Sequence, residues 1–179
     1  MLKYTPLVPL LAKVGCTSTP HRSASAESYY FDCDTPPGEF SDWNRTIAAI
    51  TIRATGTIEL TKPRKDPSWY PAATVSFIGP KESGKAGIQA FVAPDSPDDL
   101  QVRLVKSSPP VSAPVFALLK WKDGPIPFSL SLSGSNLLSA TIGGKTQSMS
   151  VANFAVEKFS LTCSTGEFYF KDVTVVTGQ

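Results

Sequence analysis

The sequence contains very little histidine. His21 is the single histidine, and it lies in the polar N-terminal segment before the first strand candidate. No Ser-His or Cys-His pair can therefore form within the folded domain, and histidine-rich zinc sites are excluded for the same reason. The three cysteines are scattered, without the spacing of metal ligands. We expect no catalytic triad, no metal site and no cofactor.

The chain also lacks an excess of charge of one sign. Its 17 basic and 15 acidic residues give a formal net charge of +2 and are spread along the sequence. This balance provides no concentrated field for a nucleic acid or an anionic membrane. We expect no nucleic-acid partner, and membrane attachment only through a lipid anchor, if the N-terminus carries one.

The apolar stretch near the N-terminus is short. A charged start at Lys3, an apolar stretch over 7–14 and an Ala-x-Ala exit at 24–26 resemble a secretory signal. The stretch is too short to span a bilayer as a helix. We predict that residues 1–26 are a leader or tail outside the domain, and that the protein is exported to the periplasm, the cell envelope or the medium.

Cys16 leaves three alternatives open for this segment. Gly15-Cys16 resembles the end of a bacterial lipoprotein signal, in which the cysteine becomes the lipidated first residue, although Lys13 stands where that family has an apolar residue. Plain secretion and a polar tail with a free thiol are the other two. If Cys16 carries the anchor, two cysteines remain, and an even number agrees with an oxidising compartment.

Residues 28–177 show the pattern of one all-β domain. Apolar residues recur at every second position in the segments around Ile52, Leu130 and Leu161, which excludes an amphipathic helix there. Gly143-Gly144 is a two-residue hairpin signal, and a change of parity at Lys171-Asp172 predicts a β-bulge. Short strands separated by Gly and Pro turns indicate a sandwich of two sheets or a closed barrel.

The last third of the chain carries a family resemblance. The segments PFSLSLSGSNLLSATIGGK and FSLTCSTGEFYFKDVTVV resemble the closing strands of the concanavalin A-like jelly-roll superfamily, shared by lectins, laminin G-like modules and several glucanases. The resemblance implies an all-β, two-sheet antiparallel β-sandwich. In that fold the first strand commonly lies near the closing ones, and Cys33 and Cys163 both lie on the apolar parity of their strands. We therefore predict a Cys33–Cys163 disulfide.

Of two enzyme motifs, one is absent from the chain and the other is incomplete. The glucanases of this superfamily carry Glu-x-Asp-x-x-Glu or a close variant on one strand, and nothing in the chain matches it. The segment 79–85 has the spacing of a phosphate-binding loop, but Ala86 follows where a Ser or Thr is needed, and a β-like run replaces the helix. We therefore predict a polar hairpin loop there and no catalytic residues.

A sugar site needs aromatic rings beside planar hydrogen-bonding groups. We predict a carbohydrate site formed by Arg53, Arg103, Trp69 and Tyr70, with both arginines on one outer sheet face and the aromatic residues at its rim. The competing interpretation is that the tryptophans cover core edges and the arginines are ordinary surface residues. The leading hypothesis is thus an exported, non-catalytic domain that binds a glycan. A glycan-cleaving enzyme with atypical carboxylates and a structural envelope protein without a small ligand are the alternatives.

Overall fold

The computed structural model describes residues 26–80, 84–107, 110–134, 136–151 and 154–178. Apart from Ala26, the predicted leader, including Cys16, lies outside these ranges. No helix in the described ranges is long and apolar enough to cross a membrane.

The described chain consists almost entirely of strands. They are β1 (Ala26–Asp34), β2 (Phe40–Ala49), β3 (Thr51–Pro63), β4 (Ala72–Ile78), β5 (Lys85–Val92), β6 (Asp99–Ser107), β7 (Pro110–Ser112), β8 (Ala117–Lys120), β9 (Ile126–Leu132), β10 (Leu137–Ile142), β11 (Lys145–Ser150), β12 (Val156–Ser164) and β13 (Gly166–Gly178). A 3₁₀ turn at Trp121–Asp123 follows β8.

The strands form two antiparallel sheets. Sheet A has six strands in the order β1-β13-β3-β9-β10-β11. Sheet B has seven: its order is β2-β12-β4-β5-β6-β7, and β8 pairs with the first half of β6 while β7 pairs with the second half. This architecture confirms the predicted two-sheet antiparallel β-sandwich.

The core lies between the sheets and is built by the period-two pattern of the strands. In β3 and β9 the buried residues alternate with residues in contact with solvent, because successive side chains of a strand point to opposite faces. Sheet B contributes large side chains such as Phe77, Phe159 and Leu104, which are fully buried. These apolar faces place the polar faces of both sheets on the outside.

A disulfide joins the two sheets. Cys33 of β1 in sheet A is bonded to Cys163 of β12 in sheet B, with 6.2 Å between their Cα atoms. The predicted pairing is therefore confirmed. The hydroxyl of Thr35, just after β1, lies 3.7 Å from Sγ of Cys163 and donates a hydrogen bond of 3.0 Å to the carbonyl of Gly166 in sheet A.

Two local predictions are also confirmed. Gly143 and Gly144, with φ of 52° and 77°, form the tight turn between β10 and β11, and positive φ at both central residues is what such hairpins require. The register of β13 against β3 shifts between Lys171 and Thr174, and Asp172 has a φ of 52°. The parity change was therefore a β-bulge.

Candidate functional site

The outer face of sheet B carries two aligned rows of side chains. The cross-strand registers place these residues in adjacent rows: Asp42, Thr162, Thr74, Gln89 and Arg103 in one, and Asn44, Ser160, Ser76, Gly87 and Val105 in the other. We refer to these two rows, together with Lys85 on the same face of β5, as the polar groove. Small residues occupy its centre and longer ones its ends.

The centre of the polar groove is recessed. Ser76 and Ser160 are 0% and 2% exposed, although both lie on the outer face. A Cβ atom added to Gly87 would lie 2.1 Å from the carbonyl oxygen of Val75, so the backbones of β4 and β5 leave no room for a side chain there. The hydroxyl of Ser76 has no hydrogen-bond partner among the described residues. The floor is therefore low and lined with small polar groups.

At one end of the groove, Arg103 is held rigidly. Its Nε and Nη2 atoms donate hydrogen bonds of 2.9 and 2.7 Å to Oε1 of Gln89, which lies opposite on β5. The guanidinium carbon lies 4.6 Å from the ring centroid of Phe91, a favourable arrangement of a cation over an aromatic face. The guanidinium plane is therefore fixed from two sides before any ligand arrives.

Three exposed aromatic residues form a group at the rim of the groove, and two of them, Trp69 and Tyr70, line the same recess as Arg103. We refer to Phe40, Trp69 and Tyr70 as the aromatic shelf; their exposed fractions are 61%, 42% and 48%. The rings of Phe40 and Trp69 stack, with centroids 6.2 Å apart and an interplanar angle of 18°. Phe40 begins β2, and the other two precede β4, so the shelf forms where two strands of sheet B meet a loop.

The loop that carries Trp69 and Tyr70 is fixed by hydrogen bonds. Oδ1 of Asp66 accepts bonds of 2.8 and 2.9 Å from the backbone N–H groups of Ser68 and Trp69, which is the usual way an Asp side chain stabilises a turn. The hydroxyl of Ser164 donates to the carbonyl of Tyr70 at 3.2 Å. Both aromatic rings are therefore held at the rim of the groove.

Two recesses adjoin the aromatic shelf. One has a volume of about 290 Å³ and is lined by Trp69, Tyr70, Gln89, Phe91 and Arg103, among others. The second has a volume of about 420 Å³, shares Trp69 and Tyr70, and extends to Arg64, Pro94 and Pro97. The shelf thus contributes to two adjacent concave surfaces.

Lys85 brings a second cation to the outer face. Burial lowers the pKa of its ammonium group, and the negative charge of Asp42 acts in the opposite direction. The lowered pKa shows that the loss of solvent outweighs the attraction to Asp42. The backbone N–H of Lys85 donates to the hydroxyl of Ser107 at 2.7 Å, which ties the start of β5 to the end of β6.

The structure brings together three of the four predicted sugar-binding residues. Arg103, Trp69 and Tyr70 line one recess, whereas Arg53 lies in β3 of sheet A and donates from Nε to the hydroxyl of Ser129 at 3.3 Å. The expectation that Arg53 and Arg103 share one sheet face is therefore wrong. Strand parity specifies that both point away from the core, but not to which sheet each strand belongs.

The other candidate aromatic residues have different surroundings. Trp43 packs against Phe159, with ring centroids 6.3 Å apart, and so faces the core side of β2. The indole N–H of Trp121 donates to the carbonyl of Pro97 at 3.1 Å, beyond β8. The sequence reasoning did not identify Phe40, Asp42 or Lys85 as site residues. Gly87 was an available signal, because a glycine inside a strand often marks a close backbone approach.

Apart from Asp42, the acidic residues that concern the candidate site lie outside the polar groove. Glu59 is paired with Lys171 at 2.6 Å on sheet A, and Asp98 with Lys122 at 2.7 Å beyond sheet B. Asp42 and Asp99 are on outer-face positions of β2 and β6, four strand spacings apart, which is about 19 Å at the usual strand separation. No group of metal-binding side chains occurs among the described residues.

Comparison with known proteins identifies the fold. No protein-family model and no curated protein sequence matches the chain. The CBM2 module of the evolved Dit of Lactobacillus casei BL23 phage J-1 matches with a TM-score of 0.58 and 9% identity over 87% of this chain and 98% of that one. The carbohydrate-binding module CBM66 from Bacillus subtilis matches with a TM-score of 0.51 and 10% identity, over 85% and 95% of the two chains.

An enzyme of the same architecture matches as well. The β-glucanase of Bacillus licheniformis gives a TM-score of 0.53 and 7% identity, over 85% of this chain and 79% of that chain. At these low sequence identities, the similarity to all three structures is a similarity of fold only. The protein is therefore a two-sheet β-sandwich with the concanavalin A-like jelly-roll fold, as the sequence resemblance implied. This fold by itself defines no activity.

Proposed function

We propose that this chain is an exported, non-catalytic domain that binds a glycan on the outer face of sheet B. The observation that carries the proposal is that Trp69 and Tyr70 of the aromatic shelf line the same recess as the hydrogen-bonded Arg103–Gln89 pair. A sugar ring packs its apolar C–H face on an aromatic ring, while its hydroxyl groups need planar donors and acceptors at the side. This end of the groove offers both.

The roles of the residues follow from their positions. Trp69 and Tyr70, about half exposed, would carry the pyranose rings, and Phe40 would support the ring of Trp69 from behind by stacking. Gln89 and Arg103 would bind hydroxyl or acidic groups. Because the loop and the guanidinium are held in place before binding, little conformational freedom is lost when the ligand arrives.

The structural neighbours support a glycan as the ligand. CBM66 is a carbohydrate-binding module, and the structure of β-agarase A, which matches with a TM-score of 0.55 and 6% identity over 82% of this chain and 72% of that chain, is a complex with oligoagarose. These statements concern those proteins. For this chain they make a sugar the first ligand class to test.

On the outer face of sheet B, the separation of Asp42 and Asp99 favours binding over hydrolysis. Glycosidases place two carboxyl groups about 5–10 Å apart across the scissile bond. Asp42 and Asp99 lie near opposite edges of the outer face, and Asp99 is paired with Lys120 at 2.6 Å. Their wide separation does not match a hydrolytic pair.

Export is supported by the covalent link between the sheets. Disulfides form and persist in oxidising compartments and are rare in the cytosol of most organisms. The Cys33–Cys163 bond and the signal-like N-terminal sequence therefore point to the same destination.

A glycan array followed by calorimetric titration of the best ligand tests the binding function. Trp69→Ala should weaken binding about fivefold or more, because the contact with the sugar ring is lost. Tyr30→Ala is the matched control: Tyr30 is equally an exposed aromatic residue, but it lies on sheet A and stacks on Tyr169. A blank array, or equal effects of the two variants, would contradict the proposal.

A further inference from the structure

We infer that the ligand of the polar groove is an acidic glycan, one of whose carboxylate or sulfate groups binds the guanidinium of Arg103. The inference rests on the proposed function and narrows it from glycans in general to those that carry negative charge. It is argued from the unneutralised charge of Arg103, from its open hydrogen-bonding edge and from the second cation of the groove.

The charge of Arg103 is not neutralised within the described part of the chain. Its partners there are the neutral amide of Gln89 and the ring of Phe91, and no described carboxylate forms an ion pair with it. Other cations of the described chain are neutralised in place by acidic neighbours: Arg64 by Asp34, Lys120 by Asp99, Lys122 by Asp98 and Lys171 by Glu59. Arg103 therefore differs from these surface cations in lacking a counter-charge.

The free edge of Arg103 has the geometry of an oxyanion site. A guanidinium offers five N–H donors, and Gln89 uses the edge formed by Nε and Nη2. The Nη1 atom has no hydrogen-bond partner among the described residues, so the edge formed by Nη1 and Nη2 is available. That edge matches two oxygens of a carboxylate or sulfate in a bidentate pair.

Two residues of the aromatic shelf, Trp69 and Tyr70, lie within reach of that edge. Trp69, Tyr70 and Arg103 line the same recess of about 290 Å³. A sugar ring lying on the shelf would therefore present its substituents toward the guanidinium. A charged acceptor there gains a hydrogen bond about twice as strong as a neutral hydroxyl would form.

Lys85 extends the positive charge along the groove. It lies four residues before Gln89 on β5 and on the same face, which places it about 13 Å further along the strand. Its ammonium group is buried at a cost that Asp42 only partly offsets. Two cations against the single carboxylate of Asp42 leave the groove rows with an excess of positive charge, which a second acidic group of a polymeric ligand would balance.

The experiment compares matched acidic and neutral oligosaccharides by calorimetric titration of the full chain. The probes are tetragalacturonate, its methyl ester, a sulfated galactan tetrasaccharide and the same galactan tetrasaccharide without sulfate. Tetragalacturonate or the sulfated probe should bind about tenfold more tightly than its neutral counterpart, since a charge-assisted bidentate contact is gained. The difference should shrink as salt is raised from low to physiological concentration.

Arg103→Gln and Arg53→Gln provide a matched pair of variants. Both remove one positive charge, but Arg53 lies on the outer face of the opposite sheet. Arg103→Gln should weaken binding of the acidic probe about tenfold and binding of the neutral probe only about threefold, because the glutamine amide can still bind a hydroxyl group but carries no charge. Arg53→Gln should leave both within twofold. Thermal unfolding checks that each variant is folded, and Arg103→Lys, which keeps the charge, should give an intermediate affinity.

The outcomes separate this inference from the proposed function. The inference is wrong if the methyl ester binds as tightly as the acid, or if Arg103→Gln weakens binding of the neutral and acidic probes equally. In either case, weaker glycan binding by Trp69→Ala would still support the proposed binding function. A response to carboxylated probes alone or to sulfated probes alone supports the inference and identifies the acidic group. Absence of binding to all four probes and to a broad glycan array overturns both.

Discussion

Gly87 is the residue on which the depth of the polar groove depends. The Cβ of an alanine there would lie 2.1 Å from the Val75 carbonyl oxygen and 2.7 Å from the Cα of Ser76. These are backbone atoms that cannot move without separating β4 from β5. Glycine at this position therefore serves close packing of strands rather than an unusual backbone angle.

Gly87→Ala should lower the free energy of unfolding by about 3 kcal/mol, at the upper end of the usual cost of overpacking a buried site. Urea denaturation followed by tryptophan fluorescence measures it. Gly134→Ala is the control, because its added Cβ would meet only the side chain of Ile50 at 3.6 Å, and its change should stay within about 0.5 kcal/mol. A loss below about 1 kcal/mol for Gly87→Ala would show that the two strands can separate easily.

Single residues also show what the alternation of side chains along a strand does not predict, which is the sheet that the strand joins. Arg53 and Arg103 both alternate with buried neighbours, and both point outward as predicted. Their separation onto opposite sheets depends on strand order, which no local pattern encodes. Trp69 and Tyr70 were recognisable as exposed aromatic residues in a proline-flanked loop, but Phe40 joins them only because β2 pairs with β12 at the edge of sheet B.

At the scale of elements, strands that pack one face on the core were predictable and an edge strand was not. In β9 and β10 the buried and partly exposed residues alternate along the whole strand. β2 was not predicted from its sequence, because an edge strand buries little. Its core-facing positions include Ser41 and Arg45, and only Trp43 packs a large ring on Phe159 from that stretch.

The disulfide between β1 and β12 ties the edge of sheet A to the interior of sheet B. Its cysteines are 130 residues apart in sequence, so the bond restricts the unfolded chain over most of its length. Reduction, or the double change Cys33→Ala with Cys163→Ala, should lower the free energy of unfolding by up to about 5 kcal/mol.

Denaturant midpoints measured with and without a reducing agent test this contribution of the disulfide. Cys16→Ser is the control and should leave the midpoint unchanged, because Cys16 has no part in the Cys33–Cys163 bond. An oxidised, exported protein that contains two free thiols at positions 33 and 163 would contradict the prediction, as would a midpoint that reduction does not change.

At the scale of the whole molecule, the open question with a direct test is where the mature chain begins. Because Ala26 begins β1 and pairs with Val176, we predict that part or all of the segment before β1 is removed on export. Mass spectrometry of the protein isolated from its producing cells measures this. A diacylglycerol adduct on Cys16 would establish a lipoprotein, and a chain starting at Glu27 would establish plain secretion. A full-length chain beginning at Met1 in the exported protein would contradict the predicted processing.

Sequence alone determined the fold class, the disulfide and the outward direction of the polar residues. Each of these follows from alternation along a strand, turn residues at fixed positions, or a resemblance carried by the closing strands. The groove was decided by tertiary structure. Asp42, Lys85, Gln89 and Arg103 come from three strands, and they share one face because β2, β5 and β6 lie in the same sheet. Strand order depends on how the apolar faces of all the strands pack together. It is therefore a property of the whole chain and cannot be read from the sequence around any single residue.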